Sequence, residues 1–176
     1  MYAFPAWRRV VFVAVLLVVI VIAFAPAVTQ GIATIRLSAI TAPSIVSHIY
    51  VGVSSVQLHR VGYLFSDNAS WTFVTRSTPV IDLLAPGAQL LPQTVTSASV
   101  PSGRYDAVKV VFTNSTLVLS GQSKAVPAPQ PILANVTLPI SPNGIGDVFM
   151  VVQFDYSTLF AMQPSLTFAL VRIAAV

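Results

Sequence analysis

The chain contains no cysteine and no glutamate, and only 14 of its 176 residues are charged. Without cysteine there is no disulfide framework, no iron–sulfur cluster and no thiolate zinc site. A domain of this size buries about two thirds of the surface its unfolded chain exposes, so it folds in an oxidising compartment without such staples. Two lysines and no glutamate leave few strong helix formers. Charge is also too sparse for disorder, which requires low hydrophobicity together with high net charge. The formal charge of +4 has no clusters behind it. Arg8 and Arg9 stand at the N-terminus, while Arg36, Arg60, Arg76, Arg104, Arg172, Lys109 and Lys124 are scattered singly against five aspartates. No nucleic-acid partner is expected.

What the chain does have is valine, isoleucine, threonine, phenylalanine and tyrosine, the residues of pleated and half-buried surfaces. Its polarity comes mainly from serine, threonine, glutamine and asparagine. The composition predicts an all-β domain.

The N-terminus is different. After Arg8 and Arg9, every residue from Val10 to Phe24 is apolar, and Ala25, Pro26, Ala27 and Val28 extend the run to 19 residues. A basic start, an apolar run and the small-residue site Ala25-Pro26-Ala27 predict a secretory signal cut after Ala27. The competing expectation is a retained membrane anchor. Nineteen helical residues cover about 28 Å, close to a hydrocarbon core of about 30 Å. Either way the arginines hold the N-terminus in the cytoplasm and the rest of the chain crosses. The division expected is residues 1–27 as signal peptide or anchor and residues 28–176 as the folded domain, extracellular or at the cell surface. The membrane is a partner through the N-terminal segment. Three of the four asparagines, Asn68, Asn114 and Asn135, begin Asn-x-Ser/Thr acceptor patterns. They predict a glycosylated exterior and favour an archaeal or eukaryotic source over a typical bacterial one.

From Gly31 onward the chain reads as short strands between turns. Strands are expected at residues 31–38, 45–61, 71–75, 80–84, 105–113, 117–120, 132–138, 148–154 and 166–173. Within residues 45–61, Val51 and Val53 share one parity and Val56 and Leu58 the other, so a one-residue bulge is expected at Ser54-Ser55. Turns are expected at Ala85-Pro86-Gly87, Pro101-Ser102-Gly103 and Asn114-Ser115. Asn143-Gly144 predicts a tight hairpin. The three prolines of residues 125–131 confine that stretch to an edge or a loop. About nine strands without an amphipathic helix predict a two-layer β-sandwich, transthyretin- or immunoglobulin-like, behind one N-terminal hydrophobic helix.

The strings Leu37-Ser-Ala-Ile-Thr-Ala-Pro-Ser44, Ile49-Tyr-Val-Gly-Val-Ser-Ser-Val-Gln-Leu-His59, Trp71, Val80-Ile-Asp-Leu-Leu84, Val100-Pro-Ser-Gly-Arg-Tyr105 and Phe154-Asp155 resemble, in order, domain of unknown function family 4382. The resemblance covers most of residues 31–176. It implies an exported, lipoprotein-like prokaryotic protein with a transthyretin-like or sandwich fold, and it implies no activity. The family's usual Thr-Asp-Ala-Pro is replaced here, with Ile40-Thr41 before Ala42-Pro43. An acid-dependent role at that point is therefore not expected.

No catalytic residue, metal ligand or cofactor is expected. Asp82 and Asp155 sit in β-rich runs and read as turn caps or acceptors for backbone amides, in preference to the carboxylate pair of a glycosidase. Asp67 with Asn68 would make at most a weak surface calcium site. His48 and His59 lie eleven apart in one strand segment, expected to share parity only if the strand is unslipped, and read as hydrogen-bonded or exposed. Tyr50, Tyr63, Trp71, Tyr105 and Tyr156 either pack at strand edges with wet tips or form a stacking platform.

Two functions remain. One is a non-enzymatic surface module for adhesion or for binding a cell-surface protein or glycan. The alternative is a self-associating filament or sheath subunit, in which the arm from Val28 to Ile40 adds itself as a strand to a neighbour.

Overall fold

The computed structural model describes residues 6–40, 42–62, 70–75, 79–85, 92–155, 157 and 166–176, with side chains in the N-terminal helix described at Trp7 and residues 10–21. One helix, α1 (Ala6–Val28), precedes ten strands: β1 (Gln30–Ala39), β2 (Val46–Arg60), β3 (Ser70–Thr75), β4 (Val80–Asp82), β5 (Gln93–Pro101), β6 (Gly103–Leu119), β7 (Gln122–Val126), β8 (Ile132–Ile140), β9 (Ile145–Asp155) and β10 (Thr167–Ala175). They form two sheets, as the strand spacing predicts. The four-stranded sheet runs β10-β9-β1-β5. In the six-stranded sheet, β2 and β6 are central, β3 and β4 flank β2, and β7 and β8 flank β6.

The core fills the space between the sheets. Ile35, Leu37, Val148 and Met150 face it from one side, and Ile49, Val51, Val53, Val56, Leu58, Val108, Val110 and Leu117 from the other, all fully buried. Phe168 joins the layers, edge-on to Phe112 of the six-stranded sheet at 5.0 Å and to Phe154 of its own sheet at 5.1 Å. Tyr105 is 1% exposed, and its hydroxyl donates to the Pro101 carbonyl 2.5 Å away. It thereby satisfies its polar tip inside the core, in the manner of the tyrosine corner of sandwich proteins.

The bulge expected in β2 is present. Val53 faces Phe112 and Ser55 faces Val111, so two steps along β2 match one along β6. A second irregularity compensates it. Val51 faces Ser115 and Val53 faces Phe112, three steps along β6 against two along β2. Gly52 sits there because a Cβ would come within 1.9 Å of Thr113 Oγ1. The two defects keep Val51, Val53, Val56 and Leu58 on one buried face. They also decide where the histidines point. Eleven is an odd separation, so an unbroken strand would set His48 and His59 on opposite faces, contrary to the like parity expected of it. With the bulge, both face outward.

Several expectations need correction. Residues 114–115 form no turn: β6 runs through them for 17 residues, because β2 pairs with it along nearly its whole length. The turn lies at Ser120-Gly121, both at positive φ (48° and 81°), the two-residue pattern that suits a hairpin. It makes residues 122–126 a strand, with only residues 127–131 left irregular. Residues 93–101, not expected as a strand, form edge strand β5 with Val95 and Val100 buried. Asn143 does adopt positive φ, yet its turn joins β8 in one sheet to β9 in the other and closes no hairpin. The turn expected at Pro86-Gly87 lies outside the described residues.

The arm from Val28 to Ile40 pairs within its own domain. Its residues 30–39 are β1, antiparallel to β5 on one side and parallel to β9 on the other. Ala33, Ile35 and Leu37 within it are fully buried. Removing it to serve a neighbour would empty the middle of its own sheet.

Ala27 is the penultimate residue of α1, and the described side chains at residues 10–21 are exposed. Among the described residues no helix is long and apolar enough to cross a membrane. Val10 to Phe24, the segment read as a membrane span, lies wholly within α1.

Candidate binding face on the six-stranded sheet

β2 carries its polar and aromatic residues on the outer face of the six-stranded sheet, and neighbouring strands continue the pattern. Strand register aligns Trp71 of β3, His59 of β2, Ala107 of β6 and Asn135 of β8 in one row. The adjacent row holds Phe73, Gln57, Lys109 and Leu133. In a pleated sheet such neighbours project from the same face. Trp71 is 40% exposed, Phe73 45% and Leu133 63%, large apolar groups placed together in solvent.

Within this face His59 Nδ1 donates to Asp106 Oδ1 at 2.6 Å, since a carboxylate can only accept. The Trp71 ring lies 5.1 Å from the imidazole, tilted by 53°. Asp106 sits at a β6 irregularity, where His59 faces Ala107 and Arg60 already faces Tyr105. Its side chain is 55% exposed. Beside it a shallow depression of about 470 Å³ is lined by Asp106, Asn135, Val136 and Thr137. Aromatic faces, a fixed imidazole–carboxylate pair, the Gln57 amide and the Lys109 ammonium lie within a few strand spacings of one another. This set can stack on an apolar ring face and hydrogen-bond to hydroxyls around it.

At the other end of β2, His48 Nδ1 donates to Asp82 Oδ2 at 2.7 Å, and Tyr50 stacks on the imidazole at 5.6 Å and 12°. Asp82 also accepts from the backbone amides of Ile49 and Leu84. Asp155 accepts from the amide of Ser157, and hydrogen bonding from the Ser157 side chain, with that from its amide, holds the carboxyl below the ordinary value. Both acids therefore act as the backbone acceptors expected of them. Both histidines are hydrogen-bonded, as expected. Among the described residues no group of three or more His, Cys, Asp or Glu could hold a metal ion.

Of the aromatic residues weighed as a platform, Trp71 and Tyr50 are on the outer face. Tyr105 is not: it is buried, and burial raises its phenol above the ordinary value while the nearby Arg60 guanidinium opposes the rise. Tyr63, Tyr156, Asp67 and Asn68 lie outside the described residues. Asn114 and Asn135 are both exposed, Asn114 in central strand β6 and Asn135 in β8. Sequence reasoning missed Phe73, Gln57, Asp106 and Lys109. The alternation of Trp71 and Phe73 is a usable signal, but Asp106 reaches His59 only through strand register.

No curated protein matches the sequence. A solved structure of a candidate cell adhesion protein from Bacteroides ovatus aligns with 82% of this chain at 11% identity and a TM-score of 0.24. The chain spans 44% of that protein's chain. The family model described as "Domain of unknown function (DUF4382)" matches residues 32–170, from within β1 to within β10. That match takes in β2 to β9 whole and parts of β1 and β10, and the chain belongs to the DUF4382 family.

Proposed function

We propose that the protein is an exported, non-enzymatic cell-surface module that binds saccharide through the outer face of its six-stranded sheet. The observation that carries this reading is the exposed pair Trp71 and Phe73 on β3, next to the His59–Asp106 pair. Sugar rings offer an apolar face ringed by hydroxyls, which aromatic side chains and fixed hydrogen-bonding groups complement. Export is supported by Arg8, Arg9 and the apolar run that follows them, exposed where its side chains are described. An apolar helix whose described side chains stay exposed suits a translocation signal.

The test is a screen of the purified full chain and its Trp71→Ala variant against immobilised oligosaccharides. Retention of at least one saccharide class by the parent, with at least tenfold weaker retention by the variant, is expected. Equal retention by both, or none by the parent, sinks the reading.

A further inference from the structure

The row that defines the binding face ends on a glycan acceptor pattern. Asn135 begins Asn135-Val136-Thr137, and both Asn135 and Thr137 are exposed while Val136 is buried. Asn135 stands opposite Ala107, which stands opposite His59, which stands opposite Trp71. At about 4.8 Å per strand the row is about 14 Å long, the reach of a short oligosaccharide. Ala107 is the one small side chain in it, so the path from Asn135 toward the aromatic end is low. The depression lined by Asp106, Asn135, Val136 and Thr137 lies at the start of that path. Leu133, Phe73 and Trp71 flank it with exposed apolar surface.

Asn114 lacks these features. It lies in β6, whose following residue Ser115 is 1% exposed and pairs with both β2 and β7. Asn135 lies in β8, which among the described residues pairs with β6 alone, so its other edge carries no strand.

We propose that Asn135 is a modification site and that its own N-linked oligosaccharide lies along the row Asn135–Ala107–His59–Trp71, covering the face. This rests on the saccharide-binding reading of that face. The covalent step is transfer from a lipid-phosphate-linked oligosaccharide. The Asn135 side-chain nitrogen forms a bond to the sugar C1, the C1–oxygen bond to phosphate breaks, the lipid phosphate leaves with the electron pair, and the amide loses one proton. The glycan then meets Trp71 and His59 at a high effective concentration, because the attachment is intramolecular. It shields the exposed aromatic groups, and it competes with any external saccharide for the same surface.

The test uses the full chain expressed in a glycosylating host, in a Trp7→Phe background that leaves Trp71 as the sole tryptophan. Peptide mass spectrometry is expected to find a glycan on Asn135. Asn135→Gln and Thr137→Ala remove the acceptor by different atoms at exposed positions. Both are expected to lose the glycan mass, shift Trp71 emission to the red and lose its protection from acrylamide. Asn114→Gln is expected to leave Trp71 unchanged. An unmodified Asn135, or Trp71 emission indifferent to the glycan, overturns the proposal. These readouts require no external ligand, so failure of the oligosaccharide screen and failure of this proposal are separate results.

Discussion

The two histidine–aspartate pairs on β2 are built from the same parts and serve opposite ends. At His48 the carboxylate is only 15% exposed and its second oxygen accepts from Ile49 and Leu84. Asp82 is spent on fixing where β4 ends against β2, and the histidine completes its hydrogen bonding. At His59 the carboxylate is 55% exposed, stands at a strand irregularity beside a depression, and orients an imidazole under an exposed tryptophan. A hydrogen-bonded pair therefore carries no fixed meaning. What else the acid touches, and how much water reaches it, separates a structural pair from one left open to a partner.

The largest effect that would sharpen this contrast is at Asp82. Asp82→Ala leaves two part-buried amides and an imidazole without their acceptor and is expected to cost about 2–3 kcal/mol in denaturant unfolding. Asp106→Ala is expected to change stability by less than about 0.5 kcal/mol while weakening saccharide retention. Equal losses of stability would erase the distinction. Next is the joint between the halves. Gly52→Ala drives a methyl into Thr113 and is expected to cost about 1–3 kcal/mol, with Thr113→Ala in the same chain recovering most of it. Failure of that recovery would mean that the compensating bulges do not depend on this close approach.

The smallest expected effect concerns the core beneath the His59 half. Tyr105→Phe leaves the Pro101 carbonyl without its donor, a loss of about 1 kcal/mol at neutral pH. Because burial raises the phenol above its value of 10.0, the folded state favours the neutral form. Its contribution is complete below pH 10.0 and is lost as pH rises through the folded value. Stability curves of parent and Tyr105→Phe are thus expected to converge on the alkaline side. Parallel curves would assign the raised value to another cause.

Much of the sandwich is legible in the residues themselves. The parity change between Val53 and Val56 identifies the β2 bulge, since only a slip can keep both pairs buried. The strand β5 is not legible, because its serines and threonines carry no strong apolar alternation and its place comes from backbone pairing with β1. The long β6 is not legible either. Asn114-Ser115 has turn chemistry, and only β2 holding both sides of it overrides that preference. The candidate face was partly legible through Trp71 and the histidines. Asp106 was hidden because it lies 47 residues from His59 in the chain, and no local pattern reports a contact of that kind.

What the amino-acid sequence determines by itself is class and layering: apolar alternation and β-branched composition demand strands with one buried face, and a basic start before an apolar run demands separate treatment of residues 1–27. Those are local properties, set by side-chain period and transfer from water. Tertiary structure alone decides that residues 30–39 are a central strand of their own sheet, and that Trp71, His59, Ala107 and Asn135 form one row. Register across strands distant in sequence sets both, and register is fixed by the summed packing of two whole sheets.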